Sequence, residues 1–257
     1  MLIDSHCHLD RLNLSAYDGD LKVPLQQAHE NGVDKILCVA TDMARFPDML
    51  EMINRYENVY GSVGVHPMSD EITTITTEQL ISAAQSEKII AIGETGLDYF
   101  YQPDTIDAQK LSFIKHLQVS AKLKKPVIVH TRDAKKDTLD IISQHGNATV
   151  GGVLHCFTED WDMAEQAILH NYWISFSGII TFRNADPLRD VVRQVPLERI
   201  LVETDAPYLT PAPFRGKPNE PKFVKRVAEC VAEVKGISYE EVARVTTENF
   251  YRLFSTA

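Results

Sequence analysis

Cysteine is scarce in this 257-residue chain, which contains four, spaced far apart: Cys7, Cys38, Cys156 and Cys230. No two of them form a CxxC pair. Disulfide frameworks and cysteine-rich zinc sites both need closely patterned cysteines, so the sequence predicts neither. We therefore expect a protein of a reducing compartment.

Long hydrophobic runs are missing as well. No segment approaches the ~18 consecutive apolar residues of a membrane span, and the N-terminus, MLIDSHCHLD, lacks the basic and apolar regions of a secretory signal. The chain also has no proline- or glycine-rich linker and no shift in composition that would separate two domains. These observations predict a cytoplasmic protein with no membrane partner and a single domain over residues 1–257.

Positive charge is in deficit, because 26 lysines and arginines stand against 36 aspartates and glutamates, for a net charge of −10. A protein that grips nucleic acid mainly through a broad basic face is therefore disfavoured, since that affinity grows with the number of phosphates neutralised. The charge leaves open an enzyme that acts on nucleic acid through metal ions.

Short runs of β-branched and apolar residues recur along the chain at intervals of 23 to 37 residues. The eight runs occupy residues 2–5, 35–40, 59–65, 89–93, 126–130, 149–154, 172–177 and 199–202. Segments with helical spacing lie between many of them, such as 21–31, 77–86, 106–123 and 163–170, and two more follow at 222–234 and 238–254. This alternation predicts an α/β fold, a single (β/α)8 TIM barrel with an extra C-terminal helix, and the strand count favours it over an open doubly wound sheet.

Polar residues gather where the predicted strands end. A parallel barrel strand is almost entirely apolar, so histidines and carboxylates at its C-terminal end need an explanation. Six strand ends carry them, in the sequences SHCH (5–8), VHP (65–67), GETG (93–96), VHTR (129–132), LHC (154–156) and ETD (203–205). Because barrel enzymes carry their active sites on this face, the pattern predicts a functional site there.

His6 and His8 alternate with Cys7 in the first strand. Their spacing directs both imidazoles to the same face, ~6 to 7 Å apart. Cys7 would point towards the helices as a small buried hydrophobic residue. An HxH pair alone is a weak motif, but it is joined at the same rim by four further candidates: Glu94, His130, His155 and Asp205.

Nitrogen and oxygen donors in this ratio suit two divalent ions ~3.5 to 4 Å apart, bridged by a carboxylate. Any one of these histidines is equally well explained as a packing residue, whereas six converging side chains are not. Imidazoles suit Zn²⁺, Mn²⁺ or Ni²⁺, and phosphoryl chemistry often uses Mg²⁺. We therefore predict two divalent ions, with Mg²⁺ or Mn²⁺ in function and Zn²⁺ or Ni²⁺ as ions that a crystal would contain.

At this point the sequence resembles the TatD family of metal-dependent deoxyribonucleases, within the metal-dependent hydrolase barrels. Motifs along the whole chain carry the resemblance: DSHCHLD (4–10), GVHP (64–67), IGETGLDYF (92–100), PVIVHTRDA (126–134), GVLHCF (152–157), VETDAPYL (202–209), RGKPNEP (215–221) and TTENFYRLF (246–254). As a linked series in this order, the motifs are highly specific.

The resemblance implies how the ligands divide between the two ions. One ion would be bound by His6, His8 and Asp205, and the other by His130 and His155. Glu94 would bridge the two ions. A carboxylate suits the bridge because each of its oxygens can bind one cation. Asp205 has a second predicted role as the general base for the attacking water, which makes Asp205 and Glu94 the predicted catalytic residues.

Five residues near the rim are predicted to contact substrate: His66, Arg132, Arg215, Lys217 and Asn219. His66 ends the third strand, where packing is the alternative role. Arg132 suits a phosphate as a bidentate donor, and a salt bridge to Asp133 or Asp98 is the alternative.

A proline-rich loop over residues 211–221 carries the last three of these residues and supplies positive groups that the chain otherwise lacks. A purely structural loop is the alternative. Glu203, two residues before Asp205, is predicted to orient a ligand histidine by accepting its second N–H, or else to form a buried ion pair.

The resemblance implies hydrolysis of DNA phosphodiesters by a metal-activated water, and the leading hypothesis is a deoxyribonuclease of the 3′–5′ exonuclease type. A barrel mouth admits a single strand or a chain end more readily than it wraps a duplex, so single-stranded DNA or a DNA end is the expected partner, with no obligate protein partner. The same centre would serve a metal-dependent ester or amide hydrolase, such as an aminoacyl-tRNA deacylase, which the acidic charge favours. The third hypothesis, a metal-stabilised barrel without activity, conflicts with the full set of six ligands.

Overall fold

The predicted strands form one parallel sheet in which each strand pairs with the next strand of the chain. The computed structural model describes residues 1–255, so Thr256 and Ala257 of the predicted single domain lie outside the described residues. Within residues 1–255, the eight strands are, in sheet order, Leu2–Cys7 (β1), Val33–Cys38 (β2), Val59–Val63 (β3), Ile89–Asp98 (β4), Val127–Arg132 (β5), Gly152–Leu154 (β6), Tyr172–Phe176 (β7) and Ile200–Val202 (β8).

An α-helix follows each strand. In the described part of the chain these helices are Lys22–Glu30 (α1), Phe46–Ile53 (α2), Thr77–Ala83 (α3), Ile106–Leu123 (α4), Lys135–His145 (α5), Trp161–Leu169 (α6), Asp186–Gln194 (α7) and Val224–Lys235 (α8), and Tyr239–Leu253 (α9) comes after α8. The TIM barrel with an extra C-terminal helix is therefore confirmed. None of the helices in residues 1–255 combines the length and the apolar character needed to cross a membrane.

The first and last strands of this order, β1 and β8, are joined by hydrogen bonds that bring their C-terminal ends together. The Asp205 amide donates to the His6 carbonyl at 2.9 Å. Between residues that precede His6 and Asp205, Ser5 Oγ donates to the Val202 carbonyl at 3.0 Å, and the Thr204 amide donates to Asp4 Oδ1 at 2.8 Å. The closure of the barrel thus sets Asp205 directly beside the histidines of β1.

The apolar core has two parts, one between the sheet and the helices and one inside the barrel. The inner part consists mainly of residues within the strands or directly after them: Ile3, Leu37, Val39, Ile90, Ala91, Ile128, Val153, Trp173 and Leu201. Phe250, Leu253 and Phe254, from the end of α9 and the residue after it, pack against this inner cluster. The extra helix therefore closes the barrel interior, and the functional face lies at the other end.

A β-bulge in β1 turns the two histidines into the barrel. Asp4 pairs with Ile36 and Cys7 pairs with Cys38, so three steps along β1 oppose two steps along β2. Since Ile3 faces the inner core, strict alternation would turn His6 towards the helices, and the extra residue reverses the direction. Cys7 accordingly packs in the core between the sheet and the helices, as the sequence predicted.

A second bulge does the same for Glu94 in β4. Ile92 pairs with Val127 and Thr95 pairs with Val129, which again places one extra residue in one strand. Ile92 packs in the core between the sheet and the helices, so strict alternation from Ile92 would turn Glu94 outward without the extra residue. The bulge lies within residues 92–95, where Gly93 has a φ of +136°.

Candidate metal centre

Glu94 lies at the centre of the strand ends, where its side chain is almost fully buried. One oxygen, Oε2, lies 3.4 Å from His6 Nε2 and 3.8 Å from His8 Nε2. The other oxygen, Oε1, lies 2.7 Å from His155 Nε2 and 3.4 Å from His130 Nδ1. Among the four histidines predicted as ligands, the two oxygens thus face separate pairs, which is the arrangement that a bridging carboxylate needs.

Asp205 completes the half of the centre that β1 supplies. Its Oδ1 lies 3.3 Å from His8 Nε2 and 3.7 Å from His6 Nε2. The three residues form one of the groups whose donor atoms are close enough together to share a single ion. Asp205 has a φ of +56°, a conformation that is unfavourable for a residue with a side chain and that clusters at functional sites.

His8 and His155 are each oriented by a hydrogen bond at the ring nitrogen that faces away from the centre. His8 Nδ1 donates to the Val39 carbonyl at 2.8 Å, and His155 Nδ1 lies 3.3 Å from Glu203 Oε1. Both partners are acceptors, so Nδ1 of each ring carries a proton, and Nε2, which faces the centre, is the nitrogen that can bind either a proton or a metal ion. The fully buried Glu203 also accepts from the Cys156 amide at 2.8 Å, which fixes the backbone next to His155.

In His130 the two ring nitrogens exchange these roles, because the partner on the far side contacts Nε2. This partner is Asp98, which the sequence suggested only as an alternative partner for Arg132. Asp98 Oδ2 lies 3.0 Å from His130 Nε2, which leaves His130 Nδ1 towards Glu94. Burial alone would raise the pKa of Asp98, but the hydrogen bonds from His130 and from the Tyr101 amide lower it. Asp98 is therefore an ionised acceptor that orients the His130 ring.

The length of β4 explains why sequence reasoning missed this role of Asp98. The apolar run predicts a strand that ends at Gly93, whereas β4 continues to Asp98 and pairs there with Arg132 of β5. This extension brings the acid beside His130. The available signal was the motif IGETGLDYF, in which Asp98 follows Glu94 by four residues.

The donor set fits divalent metal ions. His6 Nε2, His8 Nε2 and His155 Nε2 are buried nitrogens that face oxygens of Glu94 and Asp205 at distances of 2.7 to 3.8 Å. A buried cluster of nitrogen and oxygen lone pairs is costly unless protons or a cation lie between them. Imidazole nitrogens and carboxylate oxygens are ligands of Zn²⁺, Mn²⁺ and Ni²⁺, so the pocket has the chemistry of a metal centre.

The charges in the pocket stabilise one another. Burial alone would raise the pKa of Glu94, but His155, His66 and His130 lower it well below its usual value, so Glu94 is ionised. Burial alone would lower the pKa of His155, but Glu94 and Glu203 raise it well above the usual value. The pocket therefore favours positive charge around an anionic Glu94, which is the electrostatic environment that a bound cation requires.

His66 lies closer to the centre than its predicted contact with substrate requires. Its Nε2 is 3.2 Å from Glu94 Oε1, and its Nδ1 accepts from the Met68 amide at 3.1 Å. Burial lowers the pKa of His66, so the ring is neutral and its one proton lies on Nε2, towards Glu94. His66, Glu94 and His130 form another group with donor atoms close enough to share an ion.

Arg132 makes, among residues 1–255, neither of the salt bridges that the sequence left open as alternatives to phosphate binding. Its guanidinium lies 4.2 Å from the ring centre of Phe100 and 4.6 Å from that of Tyr101. Asp98 is already engaged by His130 and the Tyr101 amide. Arg132 is therefore held by aromatic rings on the functional face, and its contact with a phosphate stays a prediction.

Arg215 and Lys217 are exposed in the loop after β8. Arg215 donates to the Thr210 carbonyl at 3.1 Å, and its guanidinium lies 4.0 Å from the ring centre of Phe182, in the segment after β7. The loop is thereby tied to its neighbour while its positive charge faces solvent, and the predicted contacts of both residues with substrate stay predictions.

The prediction that Asn219 contacts substrate is wrong. Asn219 is fully buried, and its Nδ2 donates to the carbonyls of Thr204 and Tyr208. Its Oδ1 accepts from the Glu220 amide at 3.0 Å. Because its amide group is used within the loop, Asn219 is not available to a substrate, and it instead fixes the backbone on both sides of Asp205.

Known proteins resemble this chain over its whole length. The family model described as "TatD related DNase" matches residues 3–255. The uncharacterized metal-dependent hydrolase YcfH of Escherichia coli strain K12 is 49% identical over 253 residues, covering 98% of this chain and 95% of that protein. YabD of Bacillus subtilis strain 168, also described as an uncharacterized metal-dependent hydrolase, is 40% identical over 257 residues and 99% of each chain.

A solved structure supports the same conclusion. The TatD homologue YjjV from Escherichia coli K12 superposes with a TM-score of 0.91 at 32% identity, covering 99% of this chain and 98% of that one. Sequence, fold and the arrangement around Glu94 therefore agree: the chain belongs to the TatD family of metal-dependent hydrolases.

Proposed function

We propose that this hydrolase is a deoxyribonuclease that cleaves phosphodiester bonds in single-stranded DNA or at DNA ends, with 3′–5′ exonuclease polarity. The position of Glu94 is the observation that carries the proposal, because its two oxygens face two separate histidine pairs. Paired divalent sites of this kind are typical of enzymes that act on phosphate esters.

The chemistry divides between bound cations and the residues of the chain. Two divalent cations, Mg²⁺ or Mn²⁺ in function, would polarise a phosphoryl oxygen and lower the pKa of a water molecule. Glu94 and the four histidines hold the centre, and Glu203 and Asp98 orient the rings. The side chain of Asp205 is 14% exposed, against 3% for Glu94, so Asp205 is the carboxylate that solvent reaches and the one suited to accept a proton from the attacking water.

Positive side chains at the mouth favour a phosphate-bearing substrate. Arg132 lies at the end of β5, and Arg215 and Lys217 lie in the loop after β8, at the same end of the barrel as Glu94. On a chain with a net charge of −10, cations at this position would guide a polyanion to the mouth. A small uncharged carboxyl ester would make no use of them.

The proposal is tested with a 5′-labelled single-stranded oligonucleotide and metal-stripped protein resupplied with Mg²⁺, Mn²⁺ or Zn²⁺. The wild type is expected to shorten the strand only when metal is present, and the product ladder gives the polarity. A Glu94→Ala, Asp205→Ala double variant is expected to lose more than about 100-fold in rate, since loss of even an outer partner of a ligand costs 10- to 100-fold. A Glu165→Ala, Asp190→Ala variant removes two carboxylates on α6 and α7, away from the centre, and should keep wild-type activity.

Two results would count against a deoxyribonuclease. Cleavage that survives in the Glu94, Asp205 double variant would indicate a contaminating nuclease. Absence of cleavage by protein that holds two metal ions, together with turnover of carboxyl esters or aminoacyl-tRNA, would select the ester or amide hydrolase instead.

A further inference from the structure

Three aromatic side chains are half exposed on the functional face. Phe100 is 54% exposed, Tyr101 is 55% exposed and Tyr208 is 50% exposed. The first two follow β4 and the third follows β8, so these three residues, here called the aromatic rim, lie at the end of the barrel that carries Glu94. In a ring of eight strands, β4 and β8 are diametrically opposite. The aromatic rim therefore flanks the mouth on two sides.

Tyr208 belongs to the immediate surroundings of the metal centre. Its ring centre lies 6.0 Å from that of His8, with the ring planes at 65°. The backbone beside it is fixed, because the Tyr208 carbonyl accepts from Asn219 and the Tyr208 amide donates to the Asp205 carbonyl at 2.9 Å. Half of the ring nevertheless stays open to solvent, three residues from Asp205.

The rings of Phe100 and Tyr101 contact each other and the Arg132 guanidinium. They meet edge to face, with ring centres 4.8 Å apart and planes at 88°, and the Arg132 guanidinium lies 4.2 Å from the ring centre of Phe100 and 4.6 Å from that of Tyr101. Asp98 ties this cluster to the centre, because its Oδ1 accepts from the Tyr101 amide at 2.8 Å while its Oδ2 binds His130. The cluster is thus an ordered aromatic surface joined to a candidate metal ligand.

We propose that the aromatic rim binds unstacked nucleobases on both sides of the phosphodiester that lies over Glu94, one base on Tyr208 and one on the Phe100–Tyr101 pair. This inference rests on the proposed function. Aromatic side chains stack on any base, and each stacked base adds a factor of roughly 5 to 150 in affinity. Bases within a duplex are covered by their neighbours, so an open aromatic surface at the mouth selects single-stranded substrate.

The experiment separates stacking on bases from attraction to phosphates. Fluorescence anisotropy gives the Kd of the as-purified protein for two labelled strands of about 12 nucleotides, a length within the range that single-strand sites cover. One strand is oligothymidine and the other carries abasic sugars, and both have phosphorothioate linkages that slow cleavage. The wild type is expected to bind oligothymidine at least about 5-fold more tightly.

Variants assign that preference to named rings. Tyr208→Ala and a Phe100→Ala, Tyr101→Ala pair are each expected to weaken binding of oligothymidine by about 5-fold or more, with little change for the abasic strand. Tyr208→Phe keeps a ring and should bind like the wild type. Leu111→Ala and Leu169→Ala remove exposed apolar side chains from α4 and α6, outside the mouth, and are the matched controls.

The possible failures differ from one another. If the wild type binds both strands equally well, or if the alanine variants keep the preference for oligothymidine, the aromatic rim is not a base-binding site, and the proposed nuclease stands as long as the unmodified 5′-labelled oligonucleotide is cleaved. If the wild type binds neither strand and leaves the unmodified oligonucleotide intact, both the rim and the proposed nuclease fail.

Discussion

Asp98 gives the sharpest test of how the metal centre is organised, because one carboxylate there serves two donors. Its Oδ2 lies 3.0 Å from His130 Nε2, and its Oδ1 accepts from the Tyr101 amide at 2.8 Å. In Asp98→Asn one of these oxygens becomes an NH₂ group. Either orientation of the amide then places a donor against a donor, at His130 or at the Tyr101 amide.

The relief open to His130 is to move its proton to Nδ1, the nitrogen that faces Glu94. A protonated nitrogen has no lone pair for a metal ion, so Asp98→Asn is expected to weaken metal binding. Outer partners of metal ligands typically contribute 10- to 100-fold in affinity, or about 1.5 to 3 kcal/mol. The loss should affect one of two sites, since Asp98 holds His130 and not the histidines of β1.

Calorimetric titration of metal-stripped protein with Mn²⁺ or Zn²⁺ measures this loss directly. Asp137→Asn is the matched control, because Asp137 also accepts from two donors, Tyr99 and Lys110, and these donors lie outside the centre. Circular dichroism checks that both variants are folded. Wild-type affinity at both sites of Asp98→Asn would refute the role assigned to Asp98.

Two further predictions concern stability. Burial lowers the pKa of His116 from 6.5 to about 4. Because this pKa is lower in the folded protein than in the unfolded chain, the free energy of unfolding is highest above pH 6.5 and falls by up to about 3 kcal/mol as the pH drops from 6.5 to about 4. Urea titrations at pH 7.5 and pH 5 should therefore show a loss of stability in the wild type that is smaller in His116→Gln. Phe250→Ala is expected to lower the free energy of unfolding, measured by urea titration, by about 3 to 5 kcal/mol. Metal affinity should not change, since Phe250 packs in the inner core at the end remote from Glu94. Equal stability of the wild type and this variant would contradict the role given to α9.

Much of the architecture could be predicted from the spacing of apolar runs. A buried parallel strand has to be apolar on both faces, and it is followed by a helix that returns the chain, so eight such runs leave few alternatives. Even the bounds of α4, Ile106–Leu123, match the predicted segment. Strand ends were predicted less well, because β4 continues through polar residues to Asp98, where composition no longer indicates a strand.

The site divides along a structural line. His130, His155 and Asp205 continue the alternation of the inner-core residues Ile128, Val153 and Leu201, so simple periodicity predicts their direction. For His6, His8 and Glu94 an extra residue in the strand interrupts the alternation that would be counted from the residues before it. A bulge leaves little trace in composition, and the polar residues at the strand ends, rather than periodicity, identified these residues.

Glycine is what makes the second bulge possible. Gly96 has a φ of +128°, and a Cβ at this position would lie 2.0 Å from the His130 carbonyl oxygen. Gly93 is as constrained, since its Cβ would lie 2.6 Å from the Ile128 carbonyl oxygen. The GETG motif is therefore one device, in which two glycines allow β4 to bend against β5 and the bend carries Glu94 between the histidine pairs.

The acidic character of the chain and its proposed polyanionic substrate are reconciled at this centre. Glu94, Asp205, Glu203 and Asp98 lie within a few contacts of one another, and carboxylates so placed repel a phosphodiester. Divalent cations held by these residues would invert the sign of the local potential, because a bound ion is the largest charge in such a site. Metal would then be needed to admit the substrate as well as to hydrolyse it, while the arginines and lysine near the mouth act at longer range. Affinity for DNA should accordingly depend on metal even where no bond is cleaved.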